Sequence, residues 1–188
     1  MEKVRVEELD RHLSTASVKR PVGEALGIEG FALQYYELEP GETFSTNLHT
    51  HLDQEEVFYV LEGVATFEID EETPEIDQDT RGADQDTRDV NEKTRETDRE
   101  PIGTDRRSIE VAAGEAIRFS PGEYQHGRND TDERVIGLAM GAPRDSTEGR
   151  IECSECGARE QPDVEWTDDR TAILYDCPAC GAEINRQD

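Results

Sequence analysis

Apolar residues in this chain fall in short runs of alternating period rather than in helical stripes, and glycine or proline punctuates them. Phe31 to Leu38 (FALQYYEL) predicts a strand ended by Pro40-Gly41, and Thr43 to His51 predicts the next. Glu56 to Leu61 follows, then a tight turn at Gly63, from which Val64 to Ile69 pairs back as a hairpin. Ser108 to Val111, Glu115 to Phe119 and Arg134 to Met140 complete the pattern, with turns at Ala112-Ala113-Gly114 and Ser120-Pro121-Gly122. Ahead of these strands, residues 1–30 read as an N-terminal arm. Within it Val6 to Leu13 predicts a short helix with His12 on its surface, and Gly23 to Gly30 a loop with one helical turn. Short strands at hairpin spacing predict an all-β barrel or sandwich.

The alternation stops between 70 and 107, where the composition is Asp, Glu, Thr and Arg and the pentapeptide DQDTR occurs at 77–81 and again at 84–88. Too little apolar surface is present there to offset ordering entropy, so the segment is expected to be a disordered acidic insertion between two strands. The whole chain of 188 residues has 46 acidic and 20 basic residues, and its lysines are Lys3, Lys19 and Lys93 alone. An acidic, lysine-poor surface is similar to that of proteins from salt-loving organisms. Such charge argues against nucleic acid and anionic membranes as partners. The first residues carry charge instead of an apolar leader, and no run reaches the ~20 residues of a membrane span, so a cytoplasmic protein is expected.

Candidate chemistry concentrates in His49 to Gly63, HTHLDQEEVFYVLEG. In a strand, His49 and His51 share a face, and a turn at Leu52-Asp53-Gln54 starts a second strand with Glu56, Phe58 and Val60 on one side. Two imidazoles and a carboxylate from neighbouring strands suit a first-row divalent metal.

This stretch resembles the first motif of the cupin superfamily: His-x-His, four residues, Glu, six residues, Gly, matched by His49, His51, Glu56 and Gly63. The gap back to Gly41 is two residues longer than the common pattern. Gly114 to Asn129 (GEAIRFSPGEYQHGRN) resembles the second motif, with Gly114, Gly122 and Asn129 in register and Ser120 at a usual proline. Where that motif carries a ligand histidine, this chain has Gln125, with His126 one residue later. Strand parity and the register to Asn129 favour Gln125 as fourth ligand. Imidazole chemistry favours His126, which a one-residue bulge would turn inward. The resemblance implies a jelly-roll-like barrel holding Fe, Mn, Ni or Zn, with Phe58, Val60 and Phe119 lining an apolar pocket and no charged substrate clamp in evidence.

Cys153-Ser154-Glu155-Cys156-Gly157 and Cys177-Pro178-Ala179-Cys180-Gly181 stand twenty residues apart. This spacing predicts a closed zinc site of four thiolates, with Val164 to Trp166 and Ala172 to Tyr175 as strands of a zinc ribbon. A rubredoxin-like iron site or a dithiol pair shares part of the pattern. The region from Arg150 on has ten acidic and four basic residues, which points to a structural or protein-facing ribbon.

The sequence thus predicts an arm (1–30), a cupin barrel (31–143) interrupted by the insertion (70–107), a linker (144–150) and a zinc ribbon (151–188). The expected function is a metal-binding barrel that takes a small-molecule ligand without a defined reaction, with a regulatory role through the ribbon. The alternative is an iron-type dioxygenase or another cupin enzyme. A homodimer through the barrel is compatible with this architecture.

Overall fold

The computed structural model describes residues 1–70, 106–144, 149–167 and 173–187. The arm begins with a 3-10 turn at Val6–Glu8, not the helix predicted through Leu13. That turn buries none of its residues, so no apolar stripe was available to hold a longer helix. The arm then supplies strand β1 (Val18–Arg20) and the single helical turn α1 (Val22–Ala25). The barrel strands follow as β2 (Ala32–Leu38), β3 (His49–His51), β4 (Glu55–Glu62), β5 (Val64–Asp70), β6 (Arg106–Ala112), β7 (Ala116–Phe119), β8 (Tyr124–Arg128) and β9 (Val135–Ala142). After these come β10 (Gly149–Glu152), β11 (Arg159–Glu160), β12 (Asp163–Trp166), β13 (Ile173–Asp176) and β14 (Glu183–Gln187).

Two antiparallel sheets form the barrel, ordered β1-β2-β9-β4-β7 and β11-β10-β3-β8-β5-β6, and β12-β13-β14 make a small third sheet. Alternation decides which side chains enter: in β4, Phe58 and Val60 are buried, and in β9 Val135, Gly137, Ala139 and Gly141. Phe44, Phe58, Phe67 and Phe119 meet in the core, with ring centroids 4.8 to 6.1 Å apart. Small residues on the inner face of β9 and β8 make room for them. A Cβ at Gly127 would lie 2.5 Å from the Phe67 ring and 2.8 Å from Phe44. At Gly63 the β4–β5 turn takes φ +79°, which favours glycine, and a Cβ there would approach the Arg134 carbonyl to 2.5 Å.

Three further expectations differ from the structure. Thr43 to Leu48 is a loop apart from one isolated bridge between Thr43 and Arg128, and only His49–His51 of that predicted strand forms a strand. Phe44 dives into the core there, and Ser45 Oγ donates to the Asn47 carbonyl, so local polar bonds replace the ladder. Gly149 and Arg150, expected in the linker, open β10, which pairs with β3 in the register Gly149–His51, Arg150–Thr50 and Ile151–His49. The insertion lies outside the described residues apart from Asp70, Arg106 and Arg107, which belong to paired strands. Among the described residues no helix is long and apolar enough to cross a membrane.

Candidate metal centres

Strand β3 lies between β8 and β10, and β4 faces it from the other sheet. This brings one nitrogen each of His49 and His51 and one oxygen of Glu56 within 4.8 Å of one another. Glu56 Oε2 stands 3.8 Å from each Nε2. His49 Nδ1–H donates to the Asn47 carbonyl at 3.2 Å, which leaves the Nε2 lone pair facing Glu56. Burial lowers the His49 pKa to about 4, assisted by repulsion from His51, and burial also lowers that of His51. Both imidazoles are therefore neutral near pH 7, the form that binds a metal. Burial raises Glu56 to about 7, opposed by a Gln125 hydrogen bond and by the charge of Lys19. A carboxylate so desolvated is stabilised by a cation placed next to it.

Gln125 pairs with His49 across β3 and β8. Its amide nitrogen lies 3.1 Å from His49 Nε2 and donates to Glu56 Oε2 at 2.9 Å, while its Oε1 is buried without a partner. Turned over, that amide would present the orphaned oxygen to the same point. The residues present therefore fit a divalent cation. His126 lies on the other face of β8, whose pairing with β5 runs without a bulge, and its Nε2 bonds the Ser45 carbonyl at 3.1 Å. Asn129 has a structural task. Its amide donates to the Leu38 and Glu133 carbonyls at 3.0 and 2.8 Å, and its oxygen accepts from Thr131.

A cavity of about 370 Å³ opens above this cluster. Phe58 lines it, as expected, but Val60 and Phe119 sit deeper, packed into the buried core. The sequence reading missed Lys19, Gln34, Tyr36 and Arg144, which also line the cavity, and Ile151 and Tyr175, which come from the C-terminal region. For Lys19 no sequence signal existed, because the three-residue strand that carries it has no apolar alternation.

Four sulfurs form the second cluster, with Cys153–Cys180 3.8 Å apart and Cys156–Cys177 3.7 Å apart. Zn–S bonds of about 2.3 Å place tetrahedral sulfurs about 3.8 Å from one another. Each pair sits in a knuckle closed the same way: Gly157 N–H donates to Cys153 O at 2.8 Å and Gly181 N–H to Cys177 O at 2.7 Å. The Cys156 backbone N–H lowers the Cys153 thiol to about 7, against an opposing effect of burial. The first knuckle is fastened to the barrel. Glu152 N–H donates to Leu48 O at 3.0 Å, and Arg159 pairs with Asp70 and lies 4.7 Å from the Tyr124 ring centroid.

Solved structures share the overall fold. A sugar phosphate isomerase of the cupin superfamily from Silicibacter pomeroyi superposes with a TM-score of 0.52 at 16% identity, over 97% of this chain and 91% of the other. The chain has the cupin fold. An uncharacterised protein with a double-stranded β-helix domain from Klebsiella pneumoniae matches the cupin barrel with a TM-score of 0.51 at 14% identity, over 80% of this chain and 96% of the other. Bacillus subtilis oxalate decarboxylase, a protein with Mn(II) centres, matches with a TM-score of 0.50 at 15% identity, over 78% of this chain and 31% of the other. No protein-family model matches the sequence, and no curated protein is significantly similar to it.

Proposed function

We propose that the cupin barrel holds one divalent transition metal through His49, His51, Glu56 and Gln125 and binds a small molecule in the cavity above it. The convergence of two neutral imidazoles and a desolvated carboxylate within 4.8 Å carries this reading. The ion would act as a Lewis acid or oxygen-ligand centre. The chain's own residues orient it: Asn47 fixes the His49 tautomer, and Gln125 spans His49 and Glu56. The Mn(II) centres of a structural neighbour make Mn a sensible first ion to test. Cys153, Cys156, Cys177 and Cys180 are proposed to hold a structural zinc, supported by sulfur spacings that match a tetrahedron.

Metal analysis of protein purified without chelator tests both sites. One ion in each is expected, with the barrel ion lost in His49→Ala and the zinc retained. Wild-type protein that contains ribbon zinc and takes up no Mn, Fe, Ni or second Zn would overturn the barrel reading. Oxygen-uptake assays with phenolic and thiol substrates distinguish a binding protein from a dioxygenase.

A further inference from the structure

The metal reading leaves several groups on the cavity wall unused. Lys19 enters from β1, half-buried, with its Nζ 5.6 Å from the Tyr36 ring centroid. Among the described residues its ammonium makes no hydrogen bond or ion pair. Arg144 lines the same wall and donates to the Ile28 carbonyl at 2.7 Å. Gln34 Oε1 and Asn47 Nδ2, from two amides of that wall, are buried without a partner.

We infer that the cavity takes a small hydroxycarboxylate, its carboxylate paired with Lys19 and Arg144 and its hydroxyl met by the amides of Gln34 and Asn47. This rests on the barrel metal reading and names the ligand class of that site. The formal net charge of the chain is −26, so its field repels anions, and Lys19 and Arg144 place two positive charges on one concave wall. Glu56 is the anion that acts on the desolvated Lys19 ammonium, without a direct ion pair, and a metal bound at Glu56 would take up that charge, so a charge-assisted bond to a ligand carboxylate relieves the desolvation. A divalent ion held by one carboxylate and neutral imidazoles adds further positive charge. A neutral ligand would leave Lys19 uncompensated. The unpaired amide oxygen needs a donor and the unpaired amide nitrogen an acceptor. A hydroxyl can serve both, whereas a bare carboxylate serves only the second. The volume of about 370 Å³ lies at the small end of ligand cavities.

Calorimetric titration at fixed ionic strength tests this, with L-malate, succinate and inorganic phosphate added to Mn-loaded wild type, Lys19→Met and Lys19→Arg. Wild type is expected to bind malate more tightly than succinate or phosphate. Lys19→Met is expected to weaken malate at least tenfold while Mn affinity and melting temperature stay near wild type, and Lys19→Arg to recover part of the loss. Equal malate affinity in wild type and Lys19→Met overturns the inference, as does phosphate binding tighter than malate. If wild type takes up no barrel metal, the metal reading alone falls. Malate binding to the metal-free protein that still depends on Lys19 would then sustain the anion site, and its absence would overturn that too.

Discussion

The amide of Gln125 lies between His49 and Glu56, while the ring of His126, on the opposite face of the same strand, bonds the Ser45 carbonyl. Gln125→Ala should therefore weaken Mn binding in the barrel by about tenfold, a loss of ~1.4 kcal/mol. His126→Ala should leave that affinity nearly unchanged, and metal titration of both variants checks the pair. Asn129→Ala should instead cost stability without touching the metal. It takes a donor from the buried Leu38 carbonyl, at about 1–3 kcal/mol, read as a lower denaturant midpoint, while the Glu133 carbonyl keeps the Thr131 hydroxyl. Acid dependence has two opposed parts in protein without barrel metal. His49 has a folded pKa of about 4 against an ordinary 6.5, so the unfolded state takes the proton first and stability falls as pH drops through that window. Glu56 is raised from 4.5 to about 7, so the folded state takes the proton first and stability falls as pH rises through that window. Glu56→Gln removes the second part, so its denaturant midpoint should fall more steeply than that of wild type as pH drops from 6.5 toward 4.5. Identical pH profiles for the two proteins would contradict this assignment. The convergence of His49, His51 and Glu56 was legible at this scale because strand parity and turn length act locally. Lys19 was not, since nothing in its neighbourhood tells that β1 lies across Tyr36.

Strands with apolar alternation, β2, β4, β5 and β9, could be read from the sequence to within a few residues, because burial of one face sets their register. Strands β1, β10, β11 and β14 (VKR, GRIE, RE and EINRQ) are short and mostly polar, and β10 pairs with the distant β3, so no apolar alternation announces them. The run from Thr43 to Leu48 misled for the converse reason: it has strand-like residues but folds as a loop around Phe44. Gly127 shows how tightly the elements close on those rings. Gly127→Ala places a methyl against the buried rings of Phe67 and Phe44 and should destabilise the barrel by about 1–3 kcal/mol. Thermal unfolding measures this, and a melting temperature equal to wild type would mean the ring cluster can adjust.

At the scale of the molecule, the two halves that the sequence divides with a linker share a sheet. Asp70 and Arg106 are paired partners in β5 and β6, so the chain from 71 to 105 can be replaced by a two-residue Asn-Gly turn. The shortened protein should keep a single unfolding transition and its Mn affinity, as followed by calorimetry and metal titration. The ribbon is different, because β10 runs from it along the histidine strand and Tyr175 lines the cavity. Cys177→Ser should therefore release the ribbon zinc and also weaken Mn binding in the barrel about tenfold. Unchanged Mn affinity in that variant would show the two centres to be energetically separate.

The pairing of β10 with β3 also bears on when the barrel can be finished. His49 and Ile151 are neighbours in the sheet but roughly a hundred residues apart along the chain, a non-local contact of the kind that forms late. On a ribosome, β3 emerges long before the strand that covers its open edge. A nascent chain that has yet to expose β10 has an unfinished edge beside His49 and His51. If the barrel holds the proposed ion, its loading would then wait for synthesis of β10, and chains halted before Gly149 should remain without it. Arrest of translation just before and just after β10, followed by measurement of bound Mn, would read that order directly.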